Sequence, residues 1–468
     1  MTQVRRSAAV LLALALLAGC GSRRSHDELM LSHQAGATTS IVQDGATGEA
    51  GDAGALEPGA VTDTADGGTS GGTASGGTTG SATGTGGIAG SGRRGPATGS
   101  TIRIGVVGTL SGPAGEAFGP MAQAVQVWSR WINDRGGLNN HRVEVVVGDD
   151  GGDPARHRSM IQEFVEQKKV LAFVANPEAL TGGGTVEYLK SVGVPVIGSE
   201  NAGQWFYESP VHFPQGSHGD ALLQAGAAMV AELMKEAGQT KIAAIGCQEV
   251  QACRDQYETA ERLMGHYGLE VVYKAQVSLV QPDFTAECVG AQRAGAEVIT
   301  IGLPANAIRS IARACARQGY RPILGITAGA ATGDMAQDPN LEGMRIYSSN
   351  ASFASSDTPN RAEFQQAMKT YLPRAVPGGS HILAWTAAKV LELASADLPA
   401  DPTSKDILDG LAKIHGDVLP DLTGPLLFNP GRPAERSVCQ FATTIKGGKF
   451  VPAKGGERVC VEFNPALA

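Results

Sequence analysis

The chain has 468 residues, 38 Lys and Arg against 46 Asp and Glu, a formal net charge of −8 and 42% hydrophobic residues. Its basic residues are dispersed with no run beyond short pairs, which excludes nucleic acid as a partner. No Cys-x-x-Cys or Cys/His cluster has zinc spacing, no G-x-G-x-x-G or G-x-x-x-x-G-K-[ST] occurs, and neither a metal nor a cofactor is expected.

Residues 1–20 run from Arg5 and Arg6 through an apolar core, Ala8 to Leu17, into Leu17-Ala18-Gly19-Cys20. This looks like a bacterial lipoprotein signal ending at the cysteine that is acylated; an ordinary secretory signal with a chance cysteine is the alternative. Either way the chain leaves the cytoplasm, and an apolar core of about ten residues is too short to span a bilayer. Lipid on Cys20 would anchor the mature protein to the outer face of the cell membrane. Residues 21–100 hold no periodic apolar pattern, and from Asp66 to Gly95 almost all are Gly, Ser, Thr or Ala. Such a segment is expected to be a disordered tether, with a span on the order of 50 Å.

From Thr101 the pattern changes. Ile102, Ile104, Val106 and Val107 predict a strand buried on both faces. A glycine-rich loop follows, and from Phe118 to Ile132 apolar residues recur at helical spacing. The loop belongs at the carboxyl edge of a parallel sheet, where open α/β sheets hold small ligands. Strands over 143–147, 170–174 and 194–197 alternate with helices over 154–167 and 181–191. A second series reads helix 219–237, strand 241–245, helix 255–266, strand 269–277, helix 283–294, strand 297–301, helix 306–318 and strand 322–324. The alternation predicts an α/β protein of two doubly wound βα lobes. Helices near 360–371 and 381–396 and a strand and turn over 423–431 complete the chain.

Cys20 aside, the six remaining cysteines of an exported protein read as disulfides. The pairs nearest in sequence are Cys247/Cys253, Cys288/Cys315 and Cys439/Cys460, with some free buried thiols as the alternative.

Four elements occur in a specific order: Ile-Gly-Val-Val-Gly-Thr-Leu-Ser-Gly-Pro (104–113), Trp-Ile-Asn-Asp-Arg-Gly-Gly-Leu (131–138), Val-Glu-Val-Val-Val-Gly-Asp-Asp (143–150) and Asp153-Pro154. Together they resemble the type 1 periplasmic-binding-protein fold, in particular the branched-chain-amino-acid-type substrate-binding proteins of ABC importers, from about 101 to the C-terminus. The resemblance implies lobe one at 101–214 plus 350–432, lobe two at 215–349 plus 433–468, and three hinge crossings. A cleft between the lobes would close on a ligand. The implied function is capture of a small polar, amino-acid-like or amide-like metabolite for an ABC permease and ATPase. A ligand-sensing module for a membrane signalling partner is the alternative.

The expected cleft residues follow from the loops. Leu110, Ser111 and Phe118 come after the first strand, Phe118 either stacking on a ligand or packing as core. Asn176 and Glu178 follow the third strand, and Ser199, Glu200 and Asn201 the fourth. The resemblance implies that hydroxyls and backbone N–H groups of these two loops hold a ligand carboxylate. Ser199 suits that role, whereas Glu178 and Glu200 would repel a carboxylate they faced. Trp205 is either cleft wall or packing. Lobe two supplies Gln248 and Thr327. The resembled proteins carry an acid near Thr327 to hold an ammonium, and here the nearest downstream is Asp334, so a neutral, amide-like or differently charged small molecule is at least as well expected as an α-amino acid. No G-x-S-x-G or H-E-x-x-H occurs, His212 and His218 read as loop residues, and no enzyme activity is expected.

Overall fold

The computed structural model describes residues 95–112 and 114–468. The leader, Cys20 and the tether as far as residue 94 lie outside the described residues. The last residues of the expected tether are held to the folded domain: the Gly99 N–H donates to the Asn140 carbonyl (2.9 Å) and the Ser100 hydroxyl to the Ala400 carbonyl (2.9 Å).

The first sheet is built from β1 (Ile102–Gly108), β2 (Val143–Asp149), β3 (Ala172–Asn176), β4 (Val196–Ser199) and β5 (His212–Phe213), all parallel, in the order β2-β1-β3-β4-β5. Its helices are α1 (Gly115–Asn133), α2 (Pro154–Glu166) and α3 (Val186–Val192). Strand pleating sends Ile104 and Val106 toward Met121 and Trp128 of α1, while Val107 packs with Ile161 and Phe164 of α2. Helix α2 starts where Pro154 occupies its first turn and Asp153 accepts from the Ala155 and Arg156 N–H groups. The helix expected over 181–191 starts late: Gly182–Thr185 is a 3₁₀ turn and α3 begins at Val186, since consecutive glycines disfavour a helix.

The second sheet follows α4 (Gly219–Glu236) and contains β6 (Lys241–Cys247), β7 (Glu270–Val277), β8 (Val298–Gly302), β9 (Ile323–Thr327) and β10 (Arg345–Ser348), linked by α5 (Gln251–His266), α6 (Thr285–Arg293) and α7 (Ala305–Arg317). The chain then returns to the first sheet as α8 (Pro359–Tyr371), α9 (Gly379–Ala394) and α10 (Ser404–Leu411), with α9 packed on α1, β3 and β4. A short ladder of β11 (His415–Gly416) and β12 (Leu426–Leu427) precedes β13 (Cys439–Lys446), β14 (Lys449–Pro452) and β15 (Val459–Cys460). These last three are antiparallel additions that the βα alternation does not announce. The order is β14-β13-β10-β9-β8-β6-β7, with β15 also on β13.

Disulfides join Cys247 to Cys253, Cys288 to Cys315 and Cys439 to Cys460. The passages between the two sheets are knitted side by side. The Gln215 carbonyl accepts from Asn350 Nδ2 (2.8 Å) and Thr423 Oγ1 (2.7 Å), and Ser217 Oγ donates to the Ser437 carbonyl (2.5 Å). Every polar group named there is buried, so these bonds form in a low-dielectric setting that holds the segments in fixed register.

Candidate functional site

The carboxyl ends of the two sheets face a common cavity of about 170 Å³. Lobe one contributes Phe118, Leu180, Glu200 and Asn201; lobe two contributes Leu222, Val250, Leu303, Thr327 and Tyr347, together with the Cys247–Cys253 disulfide. The lining is mostly aliphatic, aromatic and sulfur. Phe118 is half-buried and reaches toward the other lobe, since a Cβ placed on Gly329 would stand 3.8 Å from its Cε1.

Gly108 is needed for a close approach: a Cβ there would lie 2.1 Å from the Pro177 carbonyl oxygen, which accepts from the Thr109 N–H at 2.8 Å. That contact fixes the start of the loop after β3; Ala175, near the end of that strand, adopts a left-handed φ of 55°, and Asn201 of the neighbouring loop one of 76°. The two loops join where the Glu178 N–H donates to Glu200 Oε2 at 2.8 Å.

Behind these loops runs a line of buried polar groups. Asp150 accepts from Thr109 (3.0 Å) and Thr181 (2.8 Å) and pairs with His157 Nδ1 (2.8 Å). His157 Nε2 stands 3.7 Å from Glu178 Oε2. Glu178 also accepts from Asn176 Nδ2 and Trp205 Nε1, each at 3.2 Å. Burial works to raise the Asp150 carboxyl, but the bonds from His157, Gly152 and the two threonines hold it below the ordinary value. Glu178, only 1% exposed, is pushed up by burial against the pull of His157. Glu200, 8% exposed, is pushed up to about 8 by burial and then by Glu178 beside it. It is therefore neutral at pH 7. With Oε2 accepting a backbone N–H, the proton belongs on Oε1, which has no hydrogen-bond partner among the described residues. Glu200 thus brings a buried carboxyl with one unpartnered oxygen to the lining of the cavity.

The expected cleft residues divide. Phe118, Glu200, Asn201 and Thr327 line the cavity. Ser199 does not, because the lobe-to-lobe segment uses it fully. Its Oγ accepts from the Asn201 N–H (3.1 Å) and stands 3.1 Å from Nε2 of His218, whose Nδ1 donates to the Gly216 carbonyl. Burial pushes both His218 and His212 down to about 3, so they are neutral. Asn176, Glu178 and Trp205 form the supporting layer behind Glu200. Leu110 is half-buried with its N–H on Asp149 Oδ1, and Ser111 and Gln248 are exposed outside the lining. Asp334 is exposed and paired with Arg309 at 2.7 Å, also outside it. Leu222, Leu303 and Tyr347 were missed, although Leu303 and Tyr347 sit at the carboxyl ends of β8 and β10, where the rule that selected Thr327 points.

Residues 101–448 match the family model described as periplasmic binding protein. No curated protein matches the sequence. Among solved structures, a fatty acid ABC transporter substrate-binding protein from Thermomonospora curvata has a TM-score of 0.64 at 17% identity, over 79% of this chain and 95% of that one. A solute-binding protein of an ABC transporter from R. palustris in complex with 4-hydroxybenzoate gives 0.62 at 19%, over 78% and 99%. The leucine-binding protein LivK of Thermotoga maritima gives 0.61 at 15%, over 75% and 97%. At such identities the structures share the fold, two α/β lobes built on largely parallel sheets. With three quarters of its length matched, the chain belongs to the periplasmic binding protein family and has the type 1 fold of its solute-binding proteins.

Proposed function

We propose that this protein is the extracytoplasmic solute-binding component of an ABC importer, held to the membrane by lipid on Cys20, and that it captures a small acid with an apolar body between its lobes. The observation that carries the reading is the lining of the interlobe cavity: apolar walls from both lobes around one buried, neutral carboxylic acid, Glu200. Apolar walls reward removal of hydrocarbon from water at about 25 cal/mol per Å². A protonated Glu200 Oε1 donates to a ligand carboxylate or carbonyl, and a charge-assisted bond of that kind is among the stronger ones. The polar, amino-acid-like metabolite expected from the sequence fits less well, because Thr327 stands where an ammonium partner is expected and Asp334 lies outside the cavity. The neighbours named for a fatty acid and for 4-hydroxybenzoate add support for an apolar acid. Nothing in the arrangement calls for a chemical step on the ligand.

The test is a thermal-shift screen of aliphatic and aromatic acids against amino acids, amides, purines and polyamines. A ligand at 100 times its Kd stabilises the folded state by about 2.7 kcal/mol. Apolar acids are expected among the hits; a screen in which only amino acids or polyamines stabilise the protein contradicts the ligand class.

A further inference from the structure

Lobe two contains a second space of about 70 Å³, between α4, α5 and the face of its sheet. Leu222, Leu223, Gln256, Thr327 and Tyr347 line both this space and the interlobe cavity, so the chamber adjoins the cleft.

A helix-on-sheet layer is normally packed with few voids as large as a water molecule. Here small residues keep it open: Gly226 on α4, Ala260 on α5 and Ala244 on β6 all line the chamber. Gly226 lies inside a helix, where glycine is less stable than alanine, and a Cβ built on it meets no atom within 4 Å. No neighbour requires a glycine there. At the sheet, Gln440 of β13 lines the same chamber, is 1% exposed, and has an Oε1 with no hydrogen-bond partner among the described residues. A buried amide oxygen left unpaired is costly, and a ligand atom that donates to it removes the cost.

Building on the function proposed above, we infer that the ligand is elongated: its acid head meets Glu200 in the cleft, its hydrocarbon shaft passes Leu222, Leu223 and Tyr347 into lobe two, and a hydroxyl at its far end donates to Gln440. The ligand class is an ω-hydroxylated medium-chain carboxylic acid. Lobe two measures the length of the ligand, and the cleft measures its head.

The experiment compares hexanoate with 10-hydroxydecanoate by calorimetric titration of the full chain, in the wild type and in the chamber-filling variants Ala260→Phe and Gly226→Leu. Each additional buried methylene contributes roughly a fourfold gain, so the wild type is expected to prefer the longer acid on the order of 100-fold. Either filled variant should reduce that preference to less than about fivefold while hexanoate binds within about twofold of wild type, which also reports that the variant is folded. Gln440→Leu should weaken 10-hydroxydecanoate alone, by about tenfold for one lost bond. Equal affinity for the two acids in wild type, or an unchanged preference in both filled variants, overturns the chamber and leaves the apolar-acid function standing. Failure of both acids to bind wild type overturns the two together.

Discussion

Arg309 of α7 and Glu116 of α1 pair across the two lobes, Nη1 to Oε1 at 3.2 Å. The same guanidinium donates to Thr332 (2.8 Å) and Asp334 (2.7 Å) of its own lobe, so the arginine arrives at the contact already oriented. Glu116 and Asp334 are both well exposed, and a pair of this kind contributes about 0.2–1 kcal/mol. Arg309→Ala is therefore expected to weaken an established ligand by less than about fivefold, with faster release. A double-mutant cycle with Glu116→Gln should recover most of that effect as coupling; strictly additive losses would show that the pair does not help hold the lobes together.

Glu200 gives a sharper result because its state decides the chemistry of the head. We expect Glu200→Gln to keep binding within about fivefold, since an amide N–H replaces the acid O–H, and Glu200→Ala to lose about tenfold. A ligand with a cationic head would instead require the ionised acid, and the glutamine variant would abolish binding.

The same residue sets a pH dependence. Its carboxyl lies near 4.5 when the chain is unfolded and is pushed up to about 8 in the folded protein. Between those values the folded state holds a proton that the unfolded state has released, so this group makes stability fall as pH rises, by at most about 1.4 kcal/mol per pH unit. Denaturation curves from pH 5 to 8 should flatten in Glu200→Gln, and acid-ligand affinity in wild type should decline as pH passes about 8. Parallel stability profiles for the two proteins would refute the buried neutral acid.

Gly108→Ala separates packing from binding in the first loop. The added methyl meets the Pro177 carbonyl at 2.1 Å, and backbone must move. A loss of about 1–3 kcal/mol in denaturant is expected, with weakened ligand binding because the Glu178–Glu200 contact depends on that loop.

The disulfides should separate by role. Cys288–Cys315 closes a loop of separation 27, worth about 3.5 kcal/mol on the chain-entropy model, and neither cysteine lines the cavity. Cys247–Cys253 closes a loop of only 6 but forms cavity wall. Paired Cys→Ser changes are expected to lower stability more at the first and ligand affinity more at the second. The reverse pattern would argue that the cavity wall is not part of the site.

Much of this fold was legible because the strands buried on both faces, such as Ile102–Gly108, are short runs of β-branched residues between turns, and the helices between them carry apolar stripes. The antiparallel strands Cys439–Lys446 and Lys449–Pro452 were not, since their pattern carries no helix to mark a crossover. Within the site, sheet-edge logic found Phe118, Glu200 and Thr327. It chose Ser199 for its hydroxyl, but that group is consumed by Asn201 and His218, a contact between chain segments 19 residues apart that no local pattern encodes. The apolar character of the cavity was hidden for the same reason: Leu222, Leu303 and Tyr347 look like core until two lobes leave them facing one space.

The most direct measurement is the affinity of one confirmed apolar acid for wild type and for two single-lobe variants, Phe118→Ala on the first lobe and Leu303→Ala on the second. If the ligand is held between the lobes, each truncation removes part of its wall and both weaken binding by about tenfold or more, measured at a temperature where both variants are folded, since truncating the buried Leu303 also costs about 2–5 kcal/mol of stability. Full affinity in either variant would place the ligand outside the interlobe cavity and contradict the proposed function at its root.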